Sequence, residues 1–335
     1  MNCDLVIIGG GPAGLSAAIN AASEGIKTTM CDAQPQFGGQ AGTSSLIENL
    51  MGFPEGISGK ELAMKSIQQA SKFDVDFRAP FNAVNLTRSK NGWTVTDDDG
   101  EQISCKTVLL SMGVSYRSLN AKNVARFIGN GGISYGSPSI TDSYSGKTVG
   151  VVGGANSAGQ AAVYLGQCSE CQVKLIIRSG SITDKMSTYL CNKIASMPNI
   201  EVIVDSEISE AKGVSCLSGV SLKQKDGYRE IEMERLFILI GAKPKTNWLK
   251  GIVPMDAFGF ICTGESSYKK LAETGEEDIF EGRLPLYTEC LPGIFVAGDV
   301  RVNSVKRVAA ALGEGSRAVN DVHQYLSIVT KTELV

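Results

Sequence analysis

Two periods of apolar patterning organise this chain. Short β-branched runs at 5–8, 27–31, 148–152, 173–177 and 236–240 read as buried strands. After the first and third of these comes a Gly-rich turn, then a small-residue helix reaching about Ser23 or Gln167, with Gly25 as the expected C-cap of the first. Residues 93–96 and 108–110 add β-rich sequence. Near the C-terminus GIFVAGDV (293–300) is another buried strand, closed by Gly-Asp and followed by the small-residue helix SVKRVAAALGEGSRAVNDVHQYL. Residues 263–283 are polar, charged and weakly periodic, and read as a surface excursion.

The pattern repeats. VIIGGGPAGLSAA (6–18) and GVVGGANSAGQAA (150–162) are two versions of strand, Gly-rich turn and small-residue helix, which implies two nucleotide-binding units. The later strands place the second unit inside the first. The expected fold is α/β, with two Rossmann-like, three-layer ββα domains. Residues 1–117 and 247–335 form the outer domain and 118–246 the inserted one.

Composition narrows the function classes. The 335 residues carry a formal net charge of −3, which gives no reason to expect nucleic acid, and 38 glycines, which suit close backbone approaches to a ligand. The start has neither a basic n-region nor a cleavage site, and no apolar run approaches the length of a membrane span. Nine scattered cysteines do not form a secreted disulfide framework. The expectation is a cytoplasmic protein of a reducing compartment, with no membrane association and no metal.

Gly9-x-Gly11-x-x-Gly14 gains its meaning from context: a strand precedes it, a helix follows through Pro12 and Ala13, and Asp32 ends the next strand. The glycines allow a tight turn and close pyrophosphate approach, the helix N-terminus favours phosphate, and Asp32 would accept a ribose hydroxyl. The second copy reads Gly153-Gly154-Ala155-Asn156-Ser157-Ala158, with Arg178 after its next strand. The Ala155 methyl stands where a pyrophosphate would pass, at a cost of about 1–3 kcal/mol. Arg178 suits a 2′-phosphate, and such a contact contributes about 1.5–3 kcal/mol. The two effects are of similar size, so NADPH, NADH and a vestigial second site all stay open.

GGGPAG, FGGQAGTS, IENLMGFP, GGANSAG, LFILIGAKP and GIFVAGDV, in this order over nearly the whole chain, resemble the thioredoxin-reductase-like flavoproteins of the pyridine nucleotide–disulfide oxidoreductase superfamily. The resemblance implies FAD in the first domain and NADPH in the second, a homodimer, and a rotation about the two crossings. It also implies that Gly38, Gly39 and Gln40 lie along the isoalloxazine, with Asn49 beside the ring. Gly298 and Asp299 would hold the ribityl–phosphate region, and Lys306, Arg307, Val308 and Ala309 would lead into a helix whose positive end faces the flavin. The sequence departs from the family where a redox Cys-x-x-C is expected: GGISYGSPSITD (131–142) has no cysteine from Tyr135 to Ser139, and neither Ser137 nor Ser139 can exchange disulfides.

The one Cys-x-x-Cys, Cys168 and Cys171, lies at the far end of the second small-residue helix. That is roughly 18 Å from the Gly-rich turn and at a helix end that disfavours a thiolate, so a structural role is expected. Cys290 reads as a small buried hydrophobe, and His323, the only histidine, as a surface or capping residue. Glu48 is one carboxylate available for proton transfer. Lys243, Lys245, Lys250, Arg301, Lys306 and Arg307 form an expected basic cluster, read as solvated charge and phosphate contacts before steering of an acidic carrier. The expected enzyme is an FAD-dependent NAD(P)H oxidoreductase without the dithiol. It would pass electrons to an electron-carrier protein or a small-molecule acceptor. One alternative is a flavoprotein reduced by an external carrier such as ferredoxin, and another is a non-catalytic flavin-binding sensor or assembly component.

Overall fold

A computed structural model describes residues 2–332 apart from Ser45, Glu48, Asn91, Ser137, residues 139–143 and Ser169. The chain divides into two compact units, Met1–Ser115 with Lys243–Val335, and Tyr116–Ala242. The crossings expected after 117 and 246 therefore fall earlier, after Ser115 and after Ala242. The reason is a pairing between distant segments. The crossing segments Val114–Tyr116 and Ala242–Pro244 pair as a two-stranded ribbon, so each boundary lies within a strand and not in the loop that follows it.

In chain order, the first unit opens with β1 (Asn2–Ile8), α1 (Pro12–Ser23), β2 (Thr28–Cys31), α2 (Gly59–Ser71), β3 (Asp76–Arg78), β4 (Ala83–Ser89), β5 (Gly92–Asp97) and β6 (Gln102–Leu110), then crosses through β7 (Val114–Tyr116). The second unit holds β8 (Ile133–Tyr135), β9 (Thr148–Val152), α3 (Asn156–Gly166), β10 (Gln172–Ile176), α4 (Thr188–Ala195), β11 (Ile200–Ile203), β12 (Glu207–Gly213), β13 (Leu217–Gln224), β14 (Gly227–Glu232) and β15 (Arg235–Ile238). The chain returns through β16 (Ala242–Pro244) to α5 (Glu265–Ala272), β17 (Glu289–Leu291), β18 (Ile294–Val296) and α6 (Val308–Thr332).

Each unit repeats one plan. In the first, β18, β6, β1, β2 and β3 run parallel in that order, and the β4–β5 hairpin extends antiparallel from β6. In the second, β11, β10, β9, β15 and β8 form an all-parallel sheet, and β12, β13 and β14 form a separate antiparallel meander. Helices cover one face of the parallel strands and antiparallel β structure accompanies them, the three-layer expectation. Burial on both faces explains why Leu5, Val6, Ile7 and Ile8 form an unbroken apolar run and do not alternate.

The small residues of α1 have a specific cause. Ala13, Gly14, Leu15, Ala17, Ala18 and Ala21 are buried, because α1 lies between the sheet and α6. At the closest point a Cβ atom on Gly315 would stand 2.1 Å from the Ala13 carbonyl oxygen. Ser16 Oγ donates to Leu312 O (2.7 Å) and fixes the same crossing. Among the described residues no helix is long and apolar enough to cross a membrane.

Residues 263–283 correct the expectation of a surface excursion. They hold α5 and a 3₁₀ turn at Glu277–Phe280, and bury Ser267, Leu271 and Phe280 in the core of the first unit. Thr263 and Gly264 are buried as well and Tyr268 and Ile279 pack on the same core, while the outer face is lined by the ion pairs Lys269–Glu265 and Lys270–Glu273. So short an apolar stripe leaves little periodic signal.

The two glycines flanking Glu314 should respond oppositely to alanine. Gly313 is exposed with nothing within 4 Å of an added Cβ, so Gly313→Ala should stabilise by up to about 1 kcal/mol through helix propensity. Gly315→Ala meets rigid backbone, and overpacking of about 1–3 kcal/mol outweighs the same propensity gain. Urea unfolding of both variants measures the difference; equal shifts would contradict the close α1–α6 contact.

Candidate functional site

The first Gly-rich turn is knitted to its neighbours by backbone approaches that leave no room for side chains. A Cβ on Gly9 would stand 2.5 Å from Ser111, and one on Gly14 would stand 2.0 Å from Gly9 O. Gly38 N donates to Gly10 O (2.7 Å), and a Cβ on Gly39 would meet the Gly11 Cα at 3.0 Å. Asp32, at the end of β2, accepts the Gly10 N–H (2.6 Å) and the Gln34 N–H (2.7 Å), so its carboxylate braces the turn from below. Gly11 is the N-cap of α1 with Pro12 just inside; no side chain caps the helix and its first turn carries no acid. An open, uncapped helix N-terminus beside glycine backbone is the arrangement that receives a phosphate.

Other expected residues converge on this place within the first unit. Gly298 presses on α1, since its added Cβ would stand 2.9 Å from Ala13 Cβ. Asp299 follows; burial pushes its carboxyl above the usual carboxylate range, and Lys306 pulls it partly back. Pro12, Gly38, Ala41 and Leu312 line one small cavity. Val308 and Leu312 pack on Ile47, Leu50 and Ile57, the cluster that carries exposed Asn49 in its loop. Gln40, Lys306, Arg307 and Ala309 are exposed at the edge of the same region. Glu48, Ser137 and Ser139 lie outside the described residues.

The second turn is built alike. A Cβ on Gly153 would stand 2.4 Å from Leu239 O, and one on Gly154 3.3 Å from Ile177. Ala155 is the N-cap of α3, exposed, with no side-chain cap and no acid in the helix's first turn. Asn156 accepts the Ser187 N–H (2.8 Å) and ties α3 to the start of α4; Ser157 is exposed and Ala158 buried. Arg178 has an 81% exposed side chain, its Nε 3.8 Å from a Glu207 oxygen. Such an exposed pair holds it only weakly. Tyr135 ends β8 and accepts the Leu119 N–H at its hydroxyl (3.0 Å).

Three site residues leave little trace in the sequence. Ser111 donates to Ile8 O and Gly9 O (3.1 and 2.8 Å), locking the first turn; its only sequence signal is a hydroxyl directly after a buried strand. Glu314 and Arg301 form the other pair, and here the structure corrects an expectation. Arg301 is not a member of a solvated basic cluster: its side chain is 12% exposed and paired with Glu314. An acid set between two glycines of the small-residue helix was the available sign. Lys306 does face outward, 4.7 Å above the Phe260 ring. His323 pairs with Glu24 at 2.6 Å, a link between α6 and the end of α1.

Cys168 and Cys171 are free thiols in the turn that ends α3. Cys171 N donates to Cys168 O (3.0 Å), and the Asn199 amide lies 2.9–3.1 Å from the carbonyls of Gly166, Cys168 and Cys171. The segment is a helix terminus whose orphan carbonyls find a donor. Burial pushes the Cys171 thiol up to about 11, with Cys168 adding to the shift. Cys290 is fully buried, and burial raises its thiol well above the usual range.

Comparison with known proteins gives a consistent result. The family model described as pyridine nucleotide-disulphide oxidoreductase matches residues 3–315. An alkyl hydroperoxide reductase component of Pseudomonas aeruginosa is 31% identical over 324 residues, 94% of this chain and 56% of that protein. Thioredoxin reductase of Borreliella burgdorferi is 28% identical, over 96% of this chain and 92% of that protein. The crystal structure of thioredoxin reductase from Streptococcus pyogenes superposes with a TM-score of 0.81 at 28% identity, over 97% of this chain and 98% of the other. The chain spans about half the length of the first curated relatives it matches. The fold shared with these proteins is the two-domain Rossmann arrangement.

The thiols should sort by environment. At pH 8 exposed Cys216 should alkylate readily, while Cys171 stays protonated and is modified only as the pH approaches 11. Mass spectrometry after iodoacetamide treatment reads this directly. Rapid labelling of Cys171 at pH 7 would show an activated thiol.

Proposed function

The chain belongs to the pyridine nucleotide-disulphide oxidoreductase family, whose cofactors are FAD and a nicotinamide dinucleotide, and we propose that it is an FAD-dependent NAD(P)H oxidoreductase working without a thiol pair. The observation that carries this reading is the pairing of two open helix N-termini behind glycine turns with different partners on the next strand, Asp32 in one unit and Arg178 in the other. No cysteine occurs between Cys105 and Cys168, so the segment in which the family resemblance expects a dithiol has none.

The first site fits FAD. Gly9, Gly11 and Gly14 let the pyrophosphate reach the N–H groups of α1, with Pro12 and Ala13 forming the first turn, while Asp32 accepts a ribose hydroxyl. Gly39 and Gln40 would edge the flavin ring, Asn49 would lie beside it, and Gly298 and Asp299 would take the ribityl–phosphate end. Lys306 and Arg307 add positive charge before Val308 and Ala309, where the positive end of α6 favours an electron-rich ring. The second site fits a nicotinamide dinucleotide, with Gly153, Gly154, Asn156, Ser157 and Ala158 around the pyrophosphate and Arg178 free to meet a 2′-phosphate. With both bound, the cofactors would supply hydride transfer from nicotinamide to flavin, and the two electrons would go on to an acceptor, an electron-carrier protein or a small molecule. The chain's own part is to bind and orient both dinucleotides by backbone donors and the two second-strand side chains.

Ala155 favours a second reading, in which its exposed methyl weakens the dinucleotide site and an external carrier reduces the flavin. A homodimer belongs to the main proposal; Leu46, Met51 and Met64, each at least 49% exposed, supply apolar surface for it, and size-exclusion chromatography tests it.

Anaerobic addition of NADPH to the yellow protein should bleach it within seconds. Arg178→Ala should raise the NADPH requirement by about tenfold to a hundredfold and leave NADH unchanged, and Ala155→Gly should tighten both nucleotides. A flavin untouched by either nucleotide but reduced by ferredoxin favours the second reading. A protein that cannot be loaded with FAD contradicts both.

A further inference from the structure

Glu314 stands in the second turn of α6 with a side chain only 14% exposed. Its carboxylate collects donors from the loop between β18 and α6. Oε2 accepts the Gly298 N–H (2.8 Å) and Arg301 Nε–H (3.1 Å); Oε1 accepts Arg301 Nη2–H (2.9 Å) and Ser304 Oγ–H (3.0 Å). Four donors fill the four acceptor positions of an ionised carboxylate. The donors come from 298, 301 and 304, so the loop winds around this one group. Gly298 is in the left-handed region (φ +78°), where only glycine sits without strain, and it bears on α1 at Ala13. The Arg301 guanidinium lies over the Tyr287 ring, 5.2 Å from its centre, and has Glu314 as its counter-charge.

We infer that Glu314 is a positioning residue for the flavin site. It sets the Gly298–Asp299 turn and the lead into α6 against the first Gly-rich turn, and acts on the cofactor only through them. The inference rests on the FAD reading above for residues 298–309. A filler role would be served by any side chain of similar shape; a positioning role requires the carboxylate, because glutamine offers an amide N–H₂ toward groups that are themselves donors. Glu314→Gln keeps the shape and leaves donors on Gly298, Arg301 or Ser304 unpaired.

The experiment uses the full chain as wild type, Glu314→Gln and Ser304→Ala. Each apoprotein is titrated with FAD by flavin fluorescence, the flavin midpoint potential of each loaded protein is measured, and apoprotein stability is followed in urea. The expected result is FAD binding weakened by about tenfold or more in Glu314→Gln and by severalfold in Ser304→Ala. The flavin potential of Glu314→Gln should shift, and the urea midpoint of Ser304→Ala should fall by no more than the loss of one hydrogen bond accounts for. Wild-type affinity and potential in a folded Glu314→Gln protein would overturn the inference. Should Glu314→Gln fail to fold, wild-type FAD affinity in Ser304→Ala would overturn it instead. A wild-type chain that takes up no FAD would remove the underlying reading, a result distinct from the other two.

Discussion

A backbone-to-backbone contact between two helices governs the first unit. Gly315 of α6 comes so near the Ala13 carbonyl that no side-chain atom fits between them. From that contact follow the alanines of α1, the seat of Gly298 on Ala13 and the bond from Ser16 to Leu312. A bulkier pair would lift α6 from α1 and carry the Gly298–Asp299 turn away from the Gly-rich turn. The ligand-binding geometry of this unit is thus set by the absence of side chains at a few points, with side-chain bonds from Asp32, Ser111 and Glu314 holding what the glycines permit.

The two units show how one backbone plan is given two different ends. In both, a buried parallel strand delivers the chain to a turn too tight for side chains, and a helix opens without a cap. What differs is the side chain at the end of the second strand. Asp32 is spent on two backbone N–H groups and sits as a fixed acceptor. Arg178 is an exposed cation held by one weak pair. An acceptor suits a hydroxyl that is always in the same place; a loosely held cation suits a phosphate that it must reach and clasp.

The strands and Gly-rich turns are legible in the sequence because their signals are local: a β-branched run, glycine at fixed spacing, an acid or a base at the next strand end. The inserted layout is legible because the repeat is long. The crossings fall a little earlier than the sequence suggests because strand pairing between residues far apart in sequence, 114–116 with 242–244, leaves no mark in either segment alone. The helix at 265–272 escapes a reading of periodicity because its buried stripe is only a few residues wide. Arg301 reads as solvated because its partner lies on a different element, and a sequence does not show which way an arginine turns. Ser111 acts on backbone carbonyl groups, which every residue has, and Glu314 on a backbone N–H and two side chains of a different segment, so nothing in the partner sequence points to either.

The first unit is assembled from the two ends of the chain, whereas the inserted unit is one continuous stretch, Tyr116–Ala242. During synthesis the inserted unit has all of its strands once Ala242 has left the ribosome, and it can close while the rest is still being made. The first unit cannot. Strand β18, which borders β6, is missing until residue 296, and the loop that carries Asp299 has no carboxylate to wind around until Glu314 has been added and α6 has formed its second turn. Its early strands must wait, with apolar faces uncovered, until those later residues have been made. The Gly298–Asp299 turn therefore takes its final form only after the whole inserted unit has been made.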